Sequence, residues 1–91
     1  MSYQPFRQRF QEDGTIIREF LEDVDSDELI WHRDRLERNV TVIRSEGWKL
    51  QLDDGLPVAM CEGNNYRILA RQWHRVIKGR GPLVIKIREG R

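Results

Sequence analysis

The sequence predicts a single, mostly β domain, an antiparallel sandwich or barrel with a short helix near its N-terminus. Three observations lead there. From Glu28 onward, apolar and polar residues alternate in short runs, the period of a strand with one buried face. Turn signals interrupt those runs about every eight to twelve residues, closer together than βαβ units allow. The chain has 91 residues, and one this short buries only about 60–65% of its unfolded surface, which leaves room for one core.

The elements follow in order. Met1 to Gly14 is polar, contains Pro5 and Gly14, and reads as a flexible segment whose Phe6 and Phe10 are free to pack on the domain or a partner. The domain proper is expected over 15–91. Between Thr15 and Asp23, the residues Ile16, Ile17, Phe20 and Leu21 fall at the i, i+1, i+4, i+5 spacing of one helical face. Thr15 suits an N-cap and Glu19 the first turn, so a helix is expected over 15–23. Asp25-Ser26-Asp27 ends it, and a barrel is expected over 28–88.

Strands are expected at Glu28–Asp34, Asn39–Arg44, Trp48–Asp53, Leu56–Met60, Tyr66–Leu69, Trp73–Lys78 and Leu83–Arg88. Ser45-Glu46-Gly47, Asp53-Asp54-Gly55, Glu62-Gly63-Asn64-Asn65 and Gly79-Arg80-Gly81-Pro82 are the turns between them. Alternation is cleanest in Trp48/Leu50/Leu52 and Leu83/Ile85/Ile87, which should face inward. No internal repeat or low-complexity linker divides the chain.

Composition narrows the function classes. Hydrophobic content is 38% and charged content 34%, the profile of a soluble globular chain. No apolar run approaches the roughly 20 residues that cross a bilayer, and Met1 to Phe10 is too polar for a secretory signal. A cytoplasmic protein with no membrane contact is expected. Cys61 is the lone cysteine, which excludes an internal disulfide or a multi-cysteine zinc site and suits a small, partly buried apolar side chain. Nucleotide-binding glycine patterns and catalytic elbows are missing.

Net charge is +1, but it is unevenly placed. Residues 1–62 carry eight Lys/Arg against fourteen Asp/Glu, while residues 63–91 carry eight against Glu89 alone. Because the basic residues alternate along strands, local pairing with acidic neighbours explains them better than a polyanion-binding face.

The candidate site begins with the two histidines. In Ile30–Asp34, strand parity puts Ile30, His32 and Asp34 on one face, with Trp31 on the other. His74 shares a face with Val76, so it too points inward, while Trp73 faces away. Two imidazoles and a carboxylate form the set that holds Fe(II) with open coordination positions, and the set also suits Zn, Mn or Ni. A satisfied core histidine, bonded to a strand carbonyl or to Asp34, explains each residue about as well.

With their neighbours, these residues resemble the cupins from about Glu28 to Ile87. On the family's second motif, Gly63 takes the first glycine, Leu69 the proline, Arg71 the second glycine, His74 the metal-binding histidine and Lys78 the asparagine. On the first, His32 and Asp34 take the two histidine positions, Arg38 the glutamate and Ser45 the closing glycine. The resemblance implies a jelly-roll barrel with a mononuclear site of His32, Asp34 and His74. Cupin sites usually use three His and one Glu, so Asp34 and Arg38 are departures. Arg38 must turn outward or pair with Asp34 or Glu37, or else Glu37 enters by a bulge.

Three functions are expected from this pattern. The first is a metal-dependent cupin, an oxygenase or isomerase if an enzyme, binding a small anionic or sugar-like ligand with Arg38, Arg71 and Arg75 as its cations. The second is a metal-free, non-catalytic homodimer acting as a binding module, with aromatic residues at the interface. The third and weakest is nucleic-acid binding through the basic C-terminal strands, which the acidic first half opposes.

Overall fold

The computed structural model describes residues 5–90, apart from the Glu28 side chain. Eight strands follow in order: β1 (Phe6–Phe10), β2 (Ile16–Phe20), β3 (Arg38–Glu46), β4 (Lys49–Leu52), β5 (Val58–Ala59), β6 (Asn65–Ile68), β7 (His74–Ile77) and β8 (Arg80–Glu89). They form a five-stranded antiparallel sheet, β1-β2-β8-β3-β6, and a three-stranded one, β5-β4-β7. A single 3-10 turn, Ser26–Glu28, follows β2, with the Asp25 carboxylate accepting from the Asp27 amide.

β8 organises the larger sheet. It pairs with β2 on one side and β3 on the other, and its Leu83, Ile85 and Ile87 are buried. Val40 and Val42 on β3 sit opposite Ile87 and Ile85, so one inward face runs across both strands. Leu50 on β4 meets Val76 on β7, and their inward face closes the core from the smaller sheet. Trp48, just before β4, is 0% exposed, and its indole N–H donates to the carbonyls of Arg80 and Gly81 at 3.3 and 3.1 Å. A side chain at Gly79 would collide with the backbone of Glu46, Gly47 and Trp48. The two turns there pack backbone on backbone, and glycine is what that approach requires.

Two expected elements differ. The helix over 15–23 is not formed: Ile16–Phe20 is strand β2, held between β1 and β8. β-branched Thr15, Ile16 and Ile17 favour the strand, and Ile16 and Phe20 lie on one face by parity two as readily as by a helical turn. The residue between them on that face is Arg18, a polar interruption that hid the alternation. Phe6–Phe10, in the stretch expected to be flexible, forms the edge strand β1. Residues 1–4 and 91 lie outside the described residues.

The expected strand Glu28–Asp34 shrinks to one antiparallel bridge between His32 and His74. Cys61 is exposed rather than partly buried. Among the described residues no helix is long and apolar enough to cross a membrane.

Candidate metal centre

The bridge that replaces the first strand is what assembles the site. His32 N–H donates to the His74 carbonyl at 3.0 Å and His74 N–H to the His32 carbonyl at 2.9 Å. Residues that exchange both bonds lie directly opposite, with side chains on one face, and the two imidazole centroids are 4.2 Å apart. The tripeptide Trp-His-Arg occurs at 31–33 and again at 73–75. Pairing the copies antiparallel sets Trp31 against Arg75 and Arg33 against Trp73 on the outer face, with guanidinium-to-ring distances of 4.9 and 5.2 Å. The histidines therefore face inward together because their flanking residues stack in pairs outside. That short recurrence was a signal in the sequence that no search for longer repeats would find.

Each histidine is oriented by its own chain. His32 Nδ1 lies 3.0 Å from the Ile30 carbonyl and His74 Nδ1 lies 2.8 Å from the Gln72 carbonyl. A carbonyl only accepts, so both Nδ1 atoms carry the hydrogen and both Nε2 atoms present a lone pair in the neutral ring. Backbone carbonyls holding Nδ1–H in this way are the usual support for metal-ligating histidines. His32 lies at the open edge, yet packing around its ring, foremost desolvation, holds its pKa below the ordinary histidine value. It is neutral at pH 7, and its lone pair is available.

Asp34 completes the group. Its Oδ2 lies 3.2 Å from His74 Nε2 and 3.2 Å from Arg38 Nη1, and donor atoms of His32, Asp34 and His74 all fall within 4.8 Å of one another. Oδ2 is buried, and neither neighbour is aligned to donate to it, so among the described residues it has no hydrogen-bond partner. Only with the His74 ring donating from Nε2 does that contact, and then Arg38, hold the Asp34 carboxyl below the usual carboxylate range against the opposing effect of burial. A lone pair and a carboxylate oxygen facing each other at this distance repel unless a proton or a cation stands between them. The donor set fits a divalent transition metal.

The other candidate residues separate. Arg38 turns toward the acids: Nε and Nη2 donate to Glu89 Oε2 at 3.2 and 3.0 Å while Nη1 approaches Asp34. Glu37 does not enter by a bulge but pairs with Arg67 at 2.8 Å. Arg75 stacks on Trp31 outside the barrel and donates to Gln51. Arg71 is exposed at the 69–72 turn, where its N–H bonds to the Asp34 carbonyl at 2.7 Å and so fixes the backbone at Asp34. Its φ is 63°, in the left-handed region that favours glycine. Arg71 thus holds a backbone shape that favours glycine without being one, at a cost of about 1–2 kcal/mol.

The histidine rings open onto a cavity of about 350 Å³ that runs between the sheets. Its wall is mostly apolar, with Leu29, Ile68 and Ile85 among its residues, and its polar members are His32, His74, Arg38 and Arg18. Sequence reading missed Arg18, because a helix assignment would have turned it to solvent.

The two antiparallel sheets match solved structures over 90–100% of the chain. A cupin domain from Bordetella pertussis Tohama I superposes with a TM-score of 0.66 at 17% identity, over 100% of this chain and 99% of that one. This chain has a cupin-like fold. A putative mannose-6-phosphate isomerase from Ralstonia eutropha JMP134 matches with a TM-score of 0.65 at 21% identity, over 90% of this chain and 80% of that one. Fe(II)-HppE with an alternative substrate, (S)-1-HPP, matches with a TM-score of 0.64 at 10% identity, over 90% of this chain and 47% of that one. At these identities the likeness is one of fold alone. No protein-family profile matches the cupin-like chain, and no curated protein matches it in sequence.

Proposed function

We propose that this chain binds a divalent transition metal, Fe, Mn, Ni or Zn, through His32 Nε2, His74 Nε2 and an Asp34 carboxylate oxygen, and seats a small anionic ligand in the adjoining cavity. The observation that carries this reading is the 3.2 Å approach of His74 Nε2 to the buried, hydrogen-bond-free Asp34 Oδ2. A proton could occupy that gap, but it would leave the second lone pair, on His32 Nε2, with no role. A metal uses all three atoms. When bound, it would supply Lewis-acid polarisation of a ligand oxygen.

The chain's own residues do the rest. The Ile30 and Gln72 carbonyls hold the rings, the Arg71 amide holds the Asp34 backbone, and Arg38 tempers the carboxylate's charge. Apolar walls keep water from the ligand, which strengthens every charge interaction inside.

One observation favours a metal-free binding module instead: Arg38 already gives Asp34 a cation at 3.2 Å. Equilibrium dialysis of the chelator-stripped protein against each of the four metals, followed by elemental analysis, separates the two. About one ion per chain at micromolar free metal is expected from at least one of them. Protein that emerges metal-free from all four would transfer the function to the module reading.

A further inference from the structure

Arg18 does not belong to the metal centre, yet it occupies the same cavity. It stands on β2 between buried Ile16 and Phe20, opposite Ile85, and so projects inward. Its guanidinium carbon lies 3.9 Å from the Phe6 ring centroid. Its Nε and Nη2 both donate to Gln8 Oε1, at 2.9 and 2.8 Å. A guanidinium has five N–H donors, and three of them have no partner among the described residues.

Charge separates Arg18 from its neighbour. Arg38 is matched by two carboxylates, Glu89 and Asp34. Among the described residues Arg18 forms no salt bridge. Burial, and then the like charge of Arg38, push its pKa down to about 10, so it stays charged at neutral pH in a wall that is otherwise largely apolar. A half-buried cation with only the more distant charges of Asp34 and Glu89, and no salt-bridge partner among the described residues, is a costly arrangement that an incoming anion relieves.

We infer that Arg18 is the anion anchor of the cavity and that its ligand is a small carboxylate with an apolar body. The planar guanidinium fork matches a carboxylate, and the hydrocarbon part of the guest lies against Phe6, Leu29, Ile68 and Ile85. A phosphate suits the site less well, because it brings more charge and more acceptors than one uncommitted guanidinium can serve. The cavity, about 350 Å³, lies at the small end of ligand pockets and has room for a body of at least one aromatic ring. The inference rests on the proposed function for the ligand's place in the cavity, and it needs no metal.

The test is calorimetric titration of chelator-stripped protein with phenylacetate, phenylacetamide and inorganic phosphate, on wild type, Arg18→Met and Arg18→Lys. Phenylacetate is expected to bind wild type at least tenfold more tightly than the other two. Arg18→Met should weaken it at least tenfold, and Arg18→Lys should fall between, having the charge but not the fork. Melting curves confirm that each variant is folded; if the methionine variant is not, the lysine variant and the acid-to-amide ratio carry the test. Equal binding of acid and amide, tighter binding of phosphate, no binding of phenylacetate, or unchanged binding by folded Arg18→Met would each overturn the inference. Because no metal is present, loss of the metal reading leaves this result standing, and the reverse also holds.

Discussion

His74→Ala is expected to weaken divalent-metal binding by at least about a hundredfold, since loss of a group that merely supports a ligand already costs roughly 10–100-fold. His74 contributes more than its Nε2. It is 4% exposed, its ring packs on His32, and it is the nearest partner of the Asp34 carboxylate other than Arg38. Truncation therefore also opens space at the cavity wall, and a loss of metal could come from a loosened site. His32→Ala controls for this, because His32 lies at the exposed edge and its removal opens no core. Competition with a chromophoric chelator should show both variants losing the metal, while melting curves show His32→Ala close to wild type. Retention of wild-type affinity by folded His32→Ala would remove His32 from the ligand set.

Trp48→Ala is expected to cost about 3–5 kcal/mol, the usual range for deleting a large buried aromatic. Total stability of a domain is only about 5–15 kcal/mol, so much of it rests on this residue. Trp48 is fully buried, packs on Phe20 with ring centroids 5.9 Å apart, and ties the start of β4 to the Arg80 and Gly81 carbonyls. Alanine removes the packing and leaves both carbonyls without their donor. For a domain of this size the melting temperature should fall by roughly 12–40 °C. Trp48→Phe keeps much of the volume and loses only the N–H, so it should fall much less. Equal losses for the two would show that the hydrogen bonds, not the packing, carry the residue's contribution.

The fold was legible where a strand has one apolar and one polar face. Leu83/Ile85/Ile87 and Trp48/Leu50 point inward as their alternation requires. It was illegible at β2 for a reason tied to the cavity: Arg18 stands at an inward position, so the pattern Ile16-Arg18-Phe20 reads as broken, and Ile17 and Leu21 then complete a false helical face. At the site, parity put His74 inward as found, but the strand expected to turn Ile30, His32 and Asp34 inward is a single bridge. Ile30 and His32 are exposed, and it is the bridge that brings His32 to the cavity edge. Parity could not show that His32 and His74 are hydrogen-bonded opposites, because that depends on long-range register. The same limit applies to the arginines. Their sequence positions look alike, but cross-strand partners send Arg75 to Trp31 outside, commit Arg38 to two acids, and give Arg18 Gln8 and Phe6 but, among the described residues, no carboxylate.

In the proposed centre, His32 and His74 offer Nε2 to one metal while each keeps Nδ1–H on a backbone carbonyl. Long-range ¹H–¹⁵N correlation spectra of the imidazole rings, recorded while Zn(II) is added to stripped protein, test it most directly. Both Nε2 resonances are expected to move together and to stop moving at about one equivalent, with both Nδ1 atoms remaining protonated. If His74 Nε2 is instead protonated and stays so through several equivalents of Zn(II), the gap to Asp34 holds a proton, and the metal centre is contradicted.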